Sequence, residues 1–424
     1  MKKEANDELV PTLEANGSLT AQAVTPTHSN SAGSVAGNAS ASPFGNLPGP
    51  LPDLVCYSHL RWNFVFQRPQ HLMTRFTRHL RVFFVEEPHW DAAPDGAWLE
   101  VQTPRPNLWV VVPHLPDNLK RDEQERTTGG LLTSFFAENR IGQFIGWYYT
   151  PMALGFSSHL KPLVTVYDCM DELSAFRGAP PLLLDRETEL FGKADLVFTG
   201  GQSLYEAKRE RHASVYAFPS SIEGAHFAQA RQAQPDPDDQ AAIPHPRMGF
   251  YGVLDERFDI ELLRGLAAAR PDWHLVMIGP VVKIHPDELP KAPNIHYLGM
   301  KSYDELPRYL AGWDVALLLF ALNESTKFIS PTKTPEYLAA GKPVVSTPIR
   351  DVVRPYGDAG LVHIAATVPE FEAATVKALA QVDDAGWRSQ VDAFLQQNSW
   401  DITWTKMATL IAEAIQSTLK NNAL

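Results

Sequence analysis

Asn323-Glu324-Ser325-Thr326-Lys327-Phe328-Ile329-Ser330-Pro331-Thr332-Lys333-Thr334-Pro335-Glu336-Tyr337-Leu338-Ala339-Ala340-Gly341-Lys342-Pro343-Val344-Val345-Ser346-Thr347 reads as loop, short helix and strand in immediate succession. Pro335 constrains where the helix begins, because proline is harmless only in the first turn, where N–H groups lack helical partners. The cap is therefore Thr332 or Thr334, and Gly341 takes the position that commonly ends helices. Lys333 and free N–H groups surround the positive end of the helix, an arrangement suited to a diphosphate. Glu336 would repel a phosphate, but a carboxylate accepts hydrogen bonds from two neighbouring hydroxyls, so ribose is its natural partner. The same residues also fit an ordinary capped helix with a solvated lysine.

Outward from this segment the same alternation repeats. Strands are expected at Met248–Val253, Trp273–Ile278, Asn294–Leu298, Asp314–Phe320, Pro343–Ser346 and Leu361–Ile364, with helices at Asp259–Ala269 and Asp304–Trp313. An earlier series places strands at Leu54–Tyr57, Arg81–Val85, Leu108–Val112, Phe144–Tyr149, Leu163–Tyr167, Asp195–Thr199 and Ser214–Phe218. Helical patterns include one starting near Pro69, then Leu182–Ala194 and Ser203–Arg211. Strand–helix alternation implies mostly parallel sheets covered on both faces. The fold class is thus α/β, with two tandem Rossmann-like domains facing a cleft and helices at the C-terminus. The expected boundaries are a disordered tail at 1–50, a first domain at 51–231, an acidic Pro-rich linker at 232–246, a second domain at 247–366 and terminal helices at 367–424. The tail has no aromatic before Phe44 and cannot offset its ordering entropy.

Three further stretches could carry chemistry. Strand Met248–Val253 contains Gly252, which lets a ligand approach the backbone, and Arg257 follows within reach of a phosphate. Arg257 equally could pair with Asp255. The run from Leu54 to Val85 holds Arg61, Arg68, Arg75, Arg78 and Arg81 with His59 and His71 and no acid, and Trp62, Phe64 and Phe66 are interleaved. It either lines the cleft, with His59, Arg61, Gln67 and Arg68 on the side opposite the phosphate site, or faces anionic lipid headgroups. A helix with a basic outer face explains Arg75 and Arg78 as well. Finally, Asp168, Asp171 and Glu172 cluster just after a strand, where a carboxylate can act as general base. Asp168 directly follows the strand and is expected to be held by backbone N–H groups. Asp171 lies further into the loop and is the preferred base, although either could be only a helix cap.

The 424 residues carry 37 Lys+Arg against 49 Asp+Glu, a formal charge of −12. That balance argues against a nucleic-acid binder. The longest apolar run, Val315–Leu322, is far short of the roughly 20 residues a spanning helix needs. The start Met1-Lys2-Lys3-Glu4 has no apolar core, so no secretory signal is expected there. Cys56 and Cys169 form neither a metal spacing nor a disulfide framework, which points to reducing cytoplasm. No cofactor and no metal site are expected.

Ser58-His59-Leu60-Arg61-Trp62, Gln67-Arg68-Pro69-Gln70-His71, Tyr167-Asp168 with Asp171, Gly252 to Arg257, Ser330-Pro331-Thr332-Lys333 with Glu336-Tyr337, and Ser399-Trp400-Asp401 together resemble bacterial nucleotide-sugar glycosyltransferases of the two-Rossmann (GT-B) type. The likeness is to the "group 1" enzymes of exopolysaccharide and teichuronic acid synthesis and covers roughly residues 54–415. It implies that the second domain binds the nucleotide sugar and the first the acceptor, a lipid-linked or oligosaccharide one. It maps Glu336 to ribose, Gly252, Thr332 and Lys333 to diphosphate, and Gly299 and Met300 to the base. Retaining members carry a second Glu where this chain has Phe328, the nearest acid being Glu324. An inverting route, as in xanthan-type glucuronosyl transferases, would use an Asp of the first domain. Asp236-Pro237-Asp238 matches the Asp-x-Asp pattern of metal-dependent sugar transferases, but linker composition accounts for it. The resulting expectation is metal-independent transfer from a UDP-sugar, in the cytoplasm or peripheral at the inner membrane face. A nucleotide-sugar epimerase and a non-catalytic sugar-binding partner of a polysaccharide assembly are the alternatives.

Overall fold

The computed structural model describes residues 42–94 and 96–422. The first sheet comprises β1 (Asp53–Ser58), β2 (Val82–Glu86), β3 (Trp98–Arg105), β4 (Leu108–His114), β5 (Phe144–Tyr148), β6 (Val164–Cys169), β7 (Leu196–Thr199) and β8 (Val215–Ala217). Its order is β3-β4-β2-β1-β5-β6-β7-β8, parallel throughout except for the β3–β4 pair. The second sheet comprises β9 (Arg247–Tyr251), β10 (His274–Ile278), β11 (Ile295–Tyr297), β12 (Val315–Leu318), β13 (Val344–Ser346) and β14 (Val362–Ile364), in the order β11-β10-β9-β12-β13-β14, all parallel. Most of these strands are fully buried, as continuous apolar runs covered on both faces must be.

The direction of winding reverses between β1 and β5 in the first sheet and between β9 and β12 in the second. Such switch points open a crevice at the carboxyl ends of the strands, where ligands bind in open α/β sheets. In the first domain that crevice lies beside His59 and Tyr149, and in the second beside Gly252 and the segment after Leu318. The longer helices are α1 (Arg68–Phe76), α2 (Arg121–Glu138), α3 (Leu182–Lys193), α4 (Gln202–Lys208), α5 (Ile260–Ala269), α6 (Lys333–Ala339), α7 (Val368–Leu379), α8 (Ala385–Leu395) and α9 (Trp400–Asn422). Gly341 follows α6 with φ +74, the left-handed conformation that stops a helix.

The three C-terminal helices do not form one unit. Phe371, Ala374 and Ala378 of α7 and Trp387 and Val391 of α8 join the cores of the second sheet. Helix α9 returns to the first, where Trp400, Trp404, Met407 and Ile411 share a core with Phe76, Trp147 and Phe198. Segment 232–246 is folded against the second domain: Asp236 accepts from Arg247 Nη1 at 2.7 Å, and Gln240 accepts from Trp313 Nε1 at 2.9 Å. The expected tail falls outside the described residues as far as 41, but 42–50 departs from it. Phe44 is buried against Phe76, and Ser42 Oγ lies 3.1 Å from His79 Nδ1. The domains touch through Ser203 N donating to Asp351 at 3.0 Å, Ser220 Oγ donating to the Ser330 carbonyl at 2.8 Å, and Phe328 packed on the core of the first.

Candidate functional site

The segment after β12 forms α6 with Thr332 as its cap residue, although the Thr332 hydroxyl makes no capping bond. The Thr334 N–H is taken by the Pro331 carbonyl at 3.2 Å, so attraction for an anion at this end rests chiefly on Lys333. The Lys333 side chain lies against Gly252, at φ +142, so that a Cβ at Gly252 would run into Lys333 Cε. Its ammonium sits 5.8 and 5.9 Å from the rings of Phe250 and Phe320. Burial pushes its pKa down, with Arg257 adding to the effect. One turn on, Glu336 is 5% exposed and accepts a hydrogen bond from the Tyr251 hydroxyl, while burial pushes its carboxyl up. Tyr337 Oη in turn accepts from Tyr251 N at 2.9 Å, which fixes the end of β9 to α6.

Arg257 is paired with Asp255, its Nη2 2.6 Å from Oδ2 and its Nε 3.0 Å from Oδ1, while its Nη1 has no partner among the described residues. Asp255 therefore orients Arg257 without using the whole fork. Gly299 has φ +71, and Met300 is 49% exposed beside it. Gly279 was missed: it ends β10 as Gly252 ends β9, with φ +141, and a Cβ there would collide with the Gly252 carbonyl. The rule that singled out Gly252, a glycine after an apolar strand, applies equally to Gly279.

From the first domain, Asp171 lies in the loop after β6. Burial pushes its carboxyl up to about 6, with Arg257, Arg68 and Lys333 pulling the other way. Two of those three cations belong to the second domain, so Asp171 faces it across the cleft. Asp168 is not held by backbone N–H groups as expected. It is completely buried and receives the Arg68 guanidinium, at 3.0 Å from Nε and 2.8 Å from Nη2. Arg68 Nη1 reaches the Phe218 carbonyl at 2.7 Å, so Arg68 is consumed in the fold and is corrected as an acceptor- or phosphate-side residue.

Arg61 is corrected in the same way: it pairs with Glu86 at 3.1 Å and with the carbonyls of Glu87 and Pro88. The remaining arginines of the basic run are also paired, Arg75 with Glu223 and Asp401, Arg78 with Asp401 and Arg81 with Asp53. A free basic stripe is therefore absent from 61–81. Gln67 caps α1, its N–H donating to Gln70 Oε1 at 3.1 Å. His59 does stand in the cleft, beside the end of β5. Its Nδ1 is buried without a partner, and burial with the charge of Lys283 holds its pKa down to about 4. Phe66 and His71 meet Tyr303 of the second domain, with ring centroids at 4.9 and 5.6 Å.

Glu324, the nearest acid to Phe328, is 80% exposed and only 3.8 Å from Lys327, on the surface. Asp236 lies with Arg247 at the amino end of β9, opposite to Gly252. A depression of about 530 Å³ between α2 and the Gly155–His159 segment lies on the outer face of the first domain, away from both switch points. No helix among the described residues is long and apolar enough to cross a membrane.

Residues 246–381 match the family model for group 1 glycosyl transferases. A Bacillus subtilis protein named as the teichuronic acid biosynthesis glycosyltransferase TuaH is 24% identical over 275 residues, covering 60% of this chain and 68% of that protein. Among solved structures, an Escherichia coli trehalose-6-phosphate protein bound with UDP-2-fluoro glucose superposes with a TM-score of 0.63 at 13% identity, over 86% of this chain and 99% of that one. Anabaena HepE in complex with UDP and glucose gives a TM-score of 0.58 at 14% identity, over 87% and 100%. The family match falls on the β9-to-α7 region that holds Gly252, Lys333 and Glu336, and the structural likeness spans both sheets. Residues 246–381 thus match a group 1 glycosyl transferase domain, and the chain as a whole has the two-sheet GT-B fold of these structures.

Proposed function

We propose that the chain moves a sugar from a nucleotide diphosphate sugar, UDP-linked, to a lipid-linked or oligosaccharide acceptor in cell-surface polysaccharide synthesis. The observation that carries this is the meeting of Lys333, Arg257 and Glu336 around Gly252 at the switch point of the second sheet. Lys333 and the open Nη1 of Arg257 would hold the diphosphate and stabilise it as it leaves, which is the role a divalent cation fills in other transferases. We therefore infer transfer without a metal. Glu336 would exchange the Tyr251 hydroxyl for a ribose diol, and the Gly299–Met300 turn would lie against the base. Asp171, on the first domain, would take the proton of the acceptor hydroxyl and give inversion at the anomeric carbon. The UDP-2-fluoro glucose and the UDP bound in two structural neighbours, with the teichuronic acid relative, support the donor and pathway.

The work would take place on the cytoplasmic side, where nucleotide sugars are made. Membrane contact through Arg61–Arg81 is not proposed, because those guanidinium groups are already paired. Calorimetry of the full chain with UDP tests the reading. Wild type should bind, and Lys333→Ala should bind more weakly by about 1–3 kcal/mol through lost charge-assisted contacts. Equal binding by both would remove Lys333 from the diphosphate site.

A further inference from the structure

Loops after β9 and β10 run side by side beyond their strands: Leu254 bridges Val281, and Val282 N donates to the Leu254 carbonyl at 3.0 Å. This paired extension carries Glu256 and Lys283 toward the first domain. Both carboxylate oxygens of Glu256 are buried with no hydrogen-bond donor. The nearest cation, Lys283 Nζ, is 3.6 Å away, an ionic contact longer than a hydrogen bond. Lys283 itself has φ +63, a left-handed backbone that costs a non-glycine residue energy and tends to persist at ligand-binding sites. Its ammonium lies 5.0 Å from the ring of Phe176, which follows Asp171 in the first domain, and Arg257 lies 5.3 Å from the same ring. The charge of Lys283 is also felt by His59, whose Nδ1 is likewise buried without a partner.

The two orphaned Glu256 oxygens beside Lys283, with His59 in reach of the same charge, define what can fill the space. A buried acceptor left unpaired costs about 1–3 kcal/mol, so the occupant must bring donors. A sugar ring brings several hydroxyl donors and oxygens that can accept from Lys283. Lys283 and Glu256 already balance each other, so a carboxylate on the ring would meet Glu256 with little uncompensated positive charge to hold it. Position agrees with chemistry. Lys283, 5.0 Å from the Phe176 ring and in reach of His59, carries the pair to the face between the domains, where a sugar must lie to pass from one to the other.

We propose that Glu256, Lys283 and His59 form the seat of the transferred sugar, and that this sugar is neutral and is read through its hydroxyls. The proposal rests on the nucleotide-sugar reading above and goes beyond it by naming the residues and class of the sugar. The test is calorimetry of the full chain with UDP, UDP-glucose, UDP-galactose, UDP-N-acetylglucosamine and UDP-glucuronate, on wild type, Glu256→Gln and Lys283→Met. Wild type should bind at least one neutral sugar nucleotide about tenfold or more tighter than UDP-glucuronate. Glu256→Gln should weaken that neutral ligand about tenfold while UDP stays within about twofold, which also reports an intact fold. Tightest binding of UDP-glucuronate, or no separation among the four sugars, overturns the seat while UDP binding leaves the nucleotide reading standing. A Glu256→Gln protein with unchanged sugar affinities, or with UDP weakened equally, overturns it too. If UDP fails to bind wild type, the nucleotide reading falls and the seat with it.

Discussion

Replacing Asp171 by Asn should make the protein more stable and nearly inactive at once. The carboxyl is pushed from 3.8 to about 6 by burial, roughly two pKa units. At 1.36 kcal/mol per unit, its charged form costs the fold up to about 3 kcal/mol at neutral pH. The sign follows from a folded pKa above the unfolded one. The penalty is absent below pH 3.8, grows as pH rises toward about 6 and is complete above that. Asparagine keeps the shape and removes the charge, so the variant's advantage should appear only above about pH 4. At roughly 2–4 °C per kcal/mol for a domain of 150–250 residues, thermal melts at pH 4 and pH 7 resolve it. As a general base, Asp171 must be ionised, so wild-type kcat/KM should rise tenfold per pH unit below about 6 and then level. The variant should lose that limb and roughly 10²–10⁴-fold in turnover, followed as UDP released with acceptor, while UDP affinity stays unchanged. A variant that is less stable at pH 7 and keeps its turnover would make Asp171 a structural residue and refute the reasoning. Retention of the donor's anomeric configuration would exclude it as the base of an inverting transfer.

Gly252→Ala should abolish UDP binding measured by calorimetry, because the added Cβ meets both an unfavourable φ and the Lys333 side chain. Phe44→Ala should cost about 3–5 kcal/mol in chemical denaturation, the usual range for an emptied phenylalanine site, whereas a residue of a disordered tail would cost nothing. Turnover should persist in excess chelator; complete loss restored by magnesium or manganese would bring a metal into the mechanism. Vesicle flotation should show no salt-dependent preference for anionic lipid that Arg78→Ala and Arg61→Ala abolish, since both side chains are already paired with carboxylates.

Strand positions were legible because buried parallel strands are continuous apolar runs, and thirteen of the fourteen strands overlap such runs. The missed one, β3, is an edge strand largely open to solvent, with Gln102, Thr103 and Arg105 exposed, so it has no apolar run to read. Helix α2 was not singled out either: its sequence carries Gly129-Gly130 and no clear apolar face. The candidate site was legible at Gly252, Lys333 and Glu336 because each is tied to a strand end or helix start by local backbone chemistry. Glu256 and Lys283 carry no such local mark. Their importance comes from what surrounds them, the pairing of two loops and a ring from the other domain.

The basic run shows the same limit from the other side. Arg61, Arg68, Arg75, Arg78 and Arg81 form a charge reversal along the chain, with no acid between Leu54 and Val85. In space each meets a carboxylate, and the partners lie 25 to 326 positions away: Glu86, Asp168, Glu223, Asp401 and Asp53. A local excess of charge implies a binding surface only if folding leaves it uncompensated, since a buried ion without a counterion costs several kcal/mol and is rarely retained. Charged and imidazole groups that stay open where the two domains face each other include Lys333, one nitrogen of Arg257, the Glu256 oxygens and His59 Nδ1. These four belong to the segments that follow β1, β9 and β12, at the two switch points. There the domains meet without completing each other's hydrogen bonds, which is the condition for a polar ligand to bind between them.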